Sequence, residues 1–312
     1  MTLREFVEHP AGLLVQGITG RQGRMETQWM LNSGTRITAG VTPGRGGSSV
    51  HEVPVYDSVF EAVEAHGNVV SMIYAPPFAA PDAAIEALEA GVRLVVMSAE
   101  NVPIHRMSRA ISVAHERGAF LVGPNSQGIV APGDGRIGCP GGMDPSERFA
   151  TGDVGIVSRS GGMASELSGL LRSWGIGTSV QIHIGGAPVV GLRMRAAVDL
   201  VCDDPATRRV VVFGEPSGDQ EDELAEAVAS GEIGVPVIAM IGGRFADTLP
   251  AALPFGHAPR AGSGATSTVV GKLERLRASG VRVVVDFEML RRELDLRTAS
   301  DTKGEQHDRS QE

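Results

Sequence analysis

The sequence predicts an α/β protein made of two doubly wound domains in tandem. Short apolar runs alternate with amphipathic stretches along nearly the whole chain, which is typical of parallel strands joined by crossover helices. Residues 131–152 are rich in Gly and Pro, carry no clean period and divide the alternation into two series. We therefore expect a first domain over residues 1–130, a linker over 131–152 and a second domain over 153–297.

The apolar runs of the first series are short enough to be buried strands. They are Leu13–Gln16, Ile37–Val41, Val69–Ala75, Leu94–Ser98 and Phe120–Val122. Apolar residues spaced by three and four indicate the helices of this domain, which are Ser58–His66, Pro81–Ala90 and His105–Arg117.

The second series has the same alternation. Its strand candidates are Val154–Val157, Val180–Ile184, Val210–Phe213, Val237–Ile241 and Val281–Val285. Its helix candidates are Gly162–Ser173, Val190–Cys202, Gln220–Ser230, Thr266–Ala278 and Phe287–Leu294. Residues 298–312 are polar and aperiodic, so we expect a disordered tail.

Composition narrows the function classes. The chain of 312 residues has a net charge of -9, which argues against a nucleic-acid partner. No apolar run reaches membrane-spanning length, and residues 1–10 are charged without an apolar core, so we expect neither a membrane span nor a secretory signal. Cys139 and Cys202 give neither a disulfide framework nor a zinc signature, which favours a reducing cytoplasm.

A glycine-rich turn follows the first strand. Gly17, Gly20 and Gly23 come directly after Leu13–Gln16, and a helical stretch follows them. Glycines at this spacing permit a tight turn and let a pyrophosphate approach the free N–H groups at a helix start. The alternative is a tight strand-to-helix turn that binds no ligand.

The end of the second strand bears on the choice of ligand. A NAD site usually has Asp or Glu there to bind the ribose hydroxyls. Residues 41–47 contain no acid and one cation, Arg45. This favours a ligand with an additional phosphate, either NADP or coenzyme A.

Three features of the second half could act together on a phosphoryl group. Ser160 and Gly161 open a helix, Glu215 follows an apolar run, and His257 lies in a loop rich in Gly, Pro and Ala. An imidazole in such a loop could carry phosphate covalently, and a helix start could bind that phosphate. The alternatives are a solvated loop histidine and a serine that only caps its own helix.

His183, in the strand candidate Val180–Ile184, is the competing histidine. We interpret it as packed or hydrogen-bonded rather than catalytic. The other histidines lie in helical or terminal contexts and form no metal-ligand pattern with the cysteines, so no metal site is predicted.

Taken together, these motifs resemble the α subunit of succinyl-CoA synthetase, a ligase that couples a nucleoside triphosphate to thioester formation. The resemblance runs from about Leu13 to Leu294. The motifs are QGITGRQG (16–23), GVTPGRGG (40–47), IYAP (73–76), GPN (123–125), GIVSRSG (155–161) and GHA (256–258). The resemblance implies an N-terminal Rossmann-like CoA-binding domain and then a flavodoxin-like domain that carries a phosphohistidine.

The resemblance also implies a CoA site formed by the first turn and by the strand ends beside it. The implied residues are Thr19, Gly20, Arg21, Gln22, Pro43, Arg45, Tyr74, Ser98 and Glu100. Arg45 stands where the family typically has lysine, which keeps the cation but replaces a point charge with a planar fork. From the residues alone, Ser98 and Glu100 fit a polar strand-end loop equally well.

In the second domain the resemblance makes His257 the residue that is phosphorylated, with Ser160 and Gly161 binding the phosphate. Glu215 would accept a hydrogen bond from the other ring nitrogen of His257 and fix its tautomer. ATP or GTP with Mg is expected on a separate ATP-grasp β subunit, in a heterodimer or heterotetramer. A small carboxylic acid would then become an acyl phosphate, which the CoA thiol would attack.

Four segments depart from the family pattern, at residues 162–166, 185–188, 216–218 and 259–260. These changes remove an aromatic hydroxyl and an acid, so the identity of the carboxylic acid stays open. Two other functions also stay open. An NADP-dependent oxidoreductase would leave His257 and the turn at Ser160 unexplained, and a non-catalytic CoA-binding sensor would have kept the fold after losing the chemistry.

Overall fold

The computed structural model describes residues 1–248 and 268–295 of the chain. These residues form two seven-stranded sheets, with helices between most of the successive parallel strands. Most parallel strands are buried along their whole length, as Leu13–Gln16 and Val237–Ile241 are, which is typical of strands covered on both faces. The predicted fold class, a Rossmann-like domain followed by a flavodoxin-like domain, is confirmed.

The first sheet contains the strands that precede residue 123. They are β1 (Leu13–Gln16), β2 (Ile37–Val41), β3 (Ser49–Val50), β4 (Val53–Tyr56), β5 (Val70–Ile73), β6 (Leu94–Met97) and β7 (Phe120–Val122). The helices of this half are α1 (Leu3–Val7), α2 (Arg21–Asn32), α3 (Val59–His66), α4 (Ala80–Glu89) and α5 (Ile104–Glu116).

The strand order of the first sheet, β3-β4-β2-β1-β5-β6-β7, positions a ligand crevice. All pairs are parallel except β3 with β4. The chain moves outward from β1 on one side and then returns to β5 on the other side. Ligands of open α/β sheets bind at such a switch point, outside the carboxyl ends of the strands. Here that point is the glycine turn after β1.

The second sheet begins with a hairpin and continues with parallel strands. Its strands are β8 (Gly128–Ala131), β9 (Gly135–Gly138), β10 (Thr151–Ser158), β11 (Thr178–His183), β12 (Arg209–Gly214), β13 (Val237–Ile241) and β14 (Arg282–Val284). The helices are α6 (Gly161–Ser173), α7 (Met194–Cys202), α8 (Gln220–Ala229) and α9 (Val269–Ala278), and residues 287–295 are also helical.

The second sheet has its own switch point. The order is β14-β13-β12-β10-β11-β8-β9, in which β10 lies between β11 and β12 and the five parallel strands follow the flavodoxin pattern. The crevice therefore lies at the end of β10, where residues 158–161 turn into α6.

The expected linker 131–152 overlaps a β-hairpin that belongs to the second sheet. Strand β8 pairs antiparallel with β11, and β9 pairs with β8, so the second sheet begins at Gly128. The same stretch also contains a short 3-10 helix, Pro145–Glu147. The glycines that suggested a linker serve close backbone packing: a Cβ on Gly138 would lie 2.2 Å from the carbonyl oxygen of Gln127.

The N-terminal helix α1 also crosses the expected boundary. Arg4 bonds Asp204 at 2.9 Å and the carbonyl of Ser179 at 2.7 Å, both in the second half. One buried apolar cluster runs through both sheets, from Val15 to Ile182 and beyond. The two halves are therefore packed against each other rather than joined by a flexible connection.

Most predicted elements are found within a few residues of their predicted ends. Helix α7 begins at Met194 rather than Val190, because the residues before it pack on the first domain: the N–H of Gly191 bonds the carbonyl of Gly123 at 2.9 Å. In the described part of the chain, no helix has the length and apolar character needed to cross a membrane.

Candidate active site

The turn after β1 leaves the start of α2 open. Gly20 is the N-cap of α2, is exposed, and provides no side-chain cap. The N–H of Gly20 donates to the carbonyl of Gly17 at 3.0 Å. The first hydrogen bond of α2 is donated by the N–H of Arg24 to the carbonyl of Gly20. The first-turn N–H groups of Arg21 and Gln22 thus face a place that an anion can occupy.

Two glycines of this turn are required by close contacts. Gly17 has φ +75°, and a Cβ there would lie 2.9 Å from the carbonyl oxygen of Tyr74. A Cβ on Gly23 would lie 2.2 Å from the carbonyl oxygen of Gly17. A Cβ on Gly20 would be 3.2 Å from the same oxygen, so Gly20 has less structural reason to be glycine. Its exposure fits close approach of a diphosphate.

The strand ends beside this turn carry the other predicted CoA-site residues. The hydroxyl of Thr19 bonds that of Thr42 at 3.1 Å, which joins the first turn to the loop after β2. Pro43 and Arg45 lie exposed in that loop. Within the described residues the guanidinium of Arg45 forms no ion pair, so it can bind a ligand phosphate.

A cavity of about 360 Å³ lies between the two domains. From the first domain it is lined by Gln22, Ser98 and Glu100, and from the second by Ser160 and Gly161. The structure thus brings together five of the predicted site residues, from both halves. The remaining lining residues are Asn125, Ser126, Gln127, Cys139, Gly162 and His183.

Beside this cavity is a polar cluster in which Glu26 and Cys139 were given no role from the sequence. Gln22 donates to the carboxylate of Glu26 at 2.9 Å, and Glu26 is buried on α2. Burial, and then the nearby carboxylate, raise the pKa of the Tyr74 phenol well above its usual value. Burial raises the pKa of the Cys139 thiol to about 12, so the thiol is protonated at neutral pH. Tyr74 does not line the cavity.

The turn after β10 is closed by its own side chains. Ser160 is the N-cap of α6 and accepts from the N–H of Met163 at 3.4 Å. The Ser158 hydroxyl donates to the carbonyl of Ser160 at 2.7 Å. Gly161 is buried, and a Cβ there would lie 2.4 Å from the side-chain amide carbon of Gln127. The helix start is therefore fixed in shape at the wall of the cavity.

Glu215 follows β12 and lies in a buried cluster of four charges. Its carboxylate is 3.8 Å from the guanidinium of Arg159, which is also 3.6 Å from Glu221. Lys272 completes the cluster with a 2.7 Å bond to Glu221. Two cations balance two carboxylates, which is what burial of charged groups requires.

His183 has both ring nitrogens engaged. Nδ1 accepts from the N–H of Gln127 at 2.7 Å, and Nε2 lies 3.0 Å from the carbonyl of Arg159. A carbonyl oxygen can only accept a hydrogen bond, so Nε2 carries the proton. Nδ1 is unprotonated, and its lone pair accepts the hydrogen bond from Gln127. These contacts agree with the interpretation of His183 as hydrogen-bonded, and its lack of a catalytic role stays a prediction.

His257 lies outside the described residues, and so do the loop 254–258 and the tail 298–312. The described residues that flank 249–267 lie close to each other. The Asp247 carboxylate accepts hydrogen bonds from the N–H of Val269 at 2.9 Å and from the N–H of Val270 at 3.1 Å. Lys272, one turn further on, contacts the Glu215 backbone. The helix that follows the stretch containing His257 therefore contacts the backbone of Glu215.

Sequence reasoning did not assign roles to Arg159, Glu221 or Lys272. Lys272 does carry a signal, because it occupies the apolar stripe of α9 formed by Val269, Leu273 and Leu276. A charge in such a stripe indicates a buried partner but not its identity. Within residues 1–248 and 268–295, no group of three His, Cys, Asp or Glu side chains is arranged to hold a metal ion.

The fold and the cavity define a class of protein in which two doubly wound domains each have a crevice at the switch point of their sheet and share a cavity between them. Residues 9–101 match the CoA binding domain family model, and residues 151–291 match the succinyl-CoA ligase like flavodoxin domain model.

Curated relatives match almost end to end. Succinate–CoA ligase [ADP-forming] subunit alpha 2 of Archaeoglobus fulgidus is 40% identical over 279 residues, which is 89% of this chain and 94% of the relative. An ADP-forming sulfoacetate–CoA ligase subunit of an Acholeplasma species is 36% identical over 89% of this chain and 93% of its own length. The chain belongs to the α-subunit family of ADP-forming acid–CoA ligases.

Solved structures agree on the fold. ATP citrate lyase of Methanosaeta concilii superposes with a TM-score of 0.81 at 25% identity over 91% of this chain. The chain spans half the length of that protein. A dinucleotide-forming acetyl-coenzyme A synthetase of Ca. Korarchaeum cryptofilum superposes with a TM-score of 0.70 over 90% of this chain and 59% of its own, at 18% identity. The predicted family, ligase activity and use of CoA are confirmed.

Proposed function

We propose that this chain is the phosphoryl-carrying α subunit of an ADP-forming acid–CoA ligase and that His257 is the residue phosphorylated. The observation that carries the proposal is the 360 Å³ cavity, in which the CoA-side residues Gln22, Ser98 and Glu100 face the start of α6. A phosphoryl group held at Ser160 and Gly161 would be next to a CoA thiol that enters from the first domain.

In this proposal the α6 start binds the phosphoryl oxygens, because its N–H groups and dipole favour an anion. Glu215 accepts a hydrogen bond from one ring nitrogen of His257, which makes the other nitrogen the nucleophile. The carboxylate of the acid attacks phosphorus, and the imidazole leaves with the electron pair of the P–N bond. The thiol sulfur then attacks the acyl phosphate, and inorganic phosphate leaves.

CoA would be held by the open first turn of α2 and by Arg45. The donor and acceptor set fits a CoA diphosphate, because Gly20 leaves space beside uncapped N–H groups and Arg45 offers an unpaired cation nearby. Thr19, Arg21 and Pro43 line the same edge, and Tyr74 is proposed only as support beneath it. The relatives are ADP-forming, which favours ATP over GTP as phosphoryl donor.

The nucleotide and Mg would be bound by a separate ATP-grasp β subunit, in a heterodimer or heterotetramer. The relatives include subunits of a succinate–CoA ligase and of a sulfoacetate–CoA ligase at similar identity, so we propose a small carboxylic acid as substrate without choosing between them. Cys139 and Cys202 are free thiols, which fits the proposed cytoplasmic location.

The test uses the chain co-purified with its β subunit and γ-labelled ATP. We expect an acid-labile, base-stable label on this chain, as for a phosphoramidate, that disappears on addition of ADP. His257→Asn should abolish the label, while His115→Asn, at an exposed helix histidine, should retain it. Glu215→Gln should slow labelling without abolishing it. Undiminished label in His257→Asn would refute the assignment.

The acid is identified by a panel that follows consumption of the CoA thiol. Succinate and sulfoacetate are compared with other short mono- and dicarboxylic acids under the same conditions. Thiol loss that requires both ATP and one acid identifies the substrate. Thiol loss with none of them, from a complex that is labelled by ATP, would show that the acid lies outside this class.

A further inference from the structure

Lys272 is a lysine buried in the interior of the second domain. Its side chain is 2% exposed on α9. Its ammonium donates to the carbonyl of Glu215 at 3.0 Å, to the carbonyl of Gly218 at 3.0 Å and to the Glu221 carboxylate at 2.7 Å. An ammonium has three donors, so all three of them are satisfied.

The two carbonyl acceptors of Lys272 belong to one short loop, residues 215–219, which we call the Glu215 loop. Glu221 accepts from the N–H of Glu215 at 3.2 Å. The guanidinium of Arg159 donates to the carbonyl of Ser217. Four backbone groups of the loop are therefore bound by charged side chains from α9, α8 and the β10–α6 turn, because neither a helix nor a strand satisfies them.

We propose that Lys272 is a positioning residue that sets the orientation of Glu215 and thereby the rate at which the histidine is phosphorylated. This inference rests on the proposed phosphohistidine function. Lys272 is the described residue that connects α9, which follows the stretch containing His257, to the backbone of Glu215 itself. Its ammonium fixes the carbonyl of Glu215 while Arg159 faces the carboxylate at 3.8 Å.

A purely structural role is the competing explanation, because removal of one partner leaves a buried charge uncompensated. Lys272→Met alone cannot separate the two roles, since it leaves Glu221 without one of its cations. The double variant Lys272→Met/Glu221→Gln can separate them. It removes one positive and one negative charge, and the Gln oxygen can still accept from the N–H of Glu215. Stability should recover, but the carbonyls of Glu215 and Gly218 still lack the ammonium.

The matched control is Arg209, the first residue of β12, the strand that Glu215 follows. It is 4% exposed and binds a carbonyl, that of Leu294 at 2.7 Å, and a carboxylate, that of Asp153 at 3.2 Å. Arg209→Met removes a buried cation of similar environment that does not contact the Glu215 loop. It should destabilise the protein and leave the labelling rate near that of the wild type.

The experiment measures single-turnover labelling by γ-labelled ATP, the Kd for CoA and the urea midpoint for each variant in complex with the β subunit. Lys272→Met and the double variant should both label at least about tenfold more slowly, with unchanged CoA affinity. Labelling of the double variant at the wild-type rate would overturn the positioning role. Wild-type complex that acquires no label, or His257→Asn that keeps it, would instead refute the proposed function.

Discussion

The turns β1–α2 and β10–α6 have the same topology but differ in how the helix start is closed. Each follows a central strand at the switch point of its sheet. In the first, the N-cap Gly20 is exposed and gives no side-chain cap. In the second, Ser160 caps the helix, and Gly161 is buried against Gln127.

The difference between the open and the closed helix start agrees with the ligand that is proposed for each turn. A large ligand that enters and leaves needs an open helix start, and the turn at Gly20 provides one. A phosphoryl group that is transferred between reactants needs a site whose hydrogen-bond donors are already in place, because their reorganisation during the reaction would slow the transfer. The turn at Ser160 has that fixed shape, and Arg159 within it is bound to the Glu215 loop.

The largest effect expected from this contrast is on CoA binding. Gly20→Val places a branched side chain where the backbone must meet the diphosphate, so we expect CoA affinity to fall by more than about 100-fold, or about 3 kcal/mol. The fold should survive, because a Cβ at this position has one close neighbour, the Gly17 carbonyl oxygen at 3.2 Å, which need move by only a few tenths of an ångström. Calorimetric titration with CoA and with NADPH measures both ligands.

Gly23→Ala is the counterpart that should affect folding. Its Cβ would lie 2.2 Å from the Gly17 carbonyl oxygen, so we expect a loss of about 3 kcal/mol in the free energy of unfolding by urea titration. If folded Gly20→Val bound CoA as tightly as wild type, or if wild type bound NADPH tightly without CoA heat, the open turn would not be a CoA site.

A smaller effect is expected at Arg45, which extends the open site through charge. Arg45→Ala should weaken CoA binding by about 1.5–3 kcal/mol, the range for a hydrogen bond to a charged group. Because Arg45 is exposed, the urea midpoint should not change. Dephospho-CoA binding should be affected less if the guanidinium lies at the 3′-phosphate. Equal losses for both ligands would locate Arg45 elsewhere on CoA.

The smallest effect is expected at the capped turn. Ser160→Ala removes a cap whose hydrogen bond is long, 3.4 Å, so we expect a loss of about 0.5–1 kcal/mol in the free energy of unfolding. CoA affinity should remain at the wild-type value, since CoA is assigned to the other turn. A drop in CoA affinity comparable to that of Gly20→Val would mean that the two turns do not have separate ligands.

Most of the strands and helices, and both turns, were predictable because their signals are local. Glycine spacing after an apolar run, as at Gly17 to Gly23, is visible in a single segment. The β8–β9 hairpin was not predicted, because its partner is β11, some fifty residues later, and its glycines resemble a linker. Helix α1 was missed for the same reason: its anchors, Asp204 and Ser179, are far along the chain.

The charged residues around Glu215 could not be predicted for the same reason, because their partners are distant in the sequence. Arg159, Glu221 and Lys272 are each separated from the other two by more than fifty residues, and each alone is an ordinary surface residue type. Only the packing of α8, α9 and the β10–α6 turn brings them together. Polar residues in apolar helix stripes indicate burial, but their partners follow from the tertiary fold.

The β8–β9 hairpin and helix α1 also determine how the protein can be divided. A fragment that ended at residue 130 would carry β8 without β11 and α1 without its anchors, and the complementary fragment would expose an edge of β11. Exposed strand edges pair with other chains. Truncation at the apparent domain boundary should therefore give insoluble halves, and a nascent chain cannot complete its first residues' contacts until Asp204 has been synthesised.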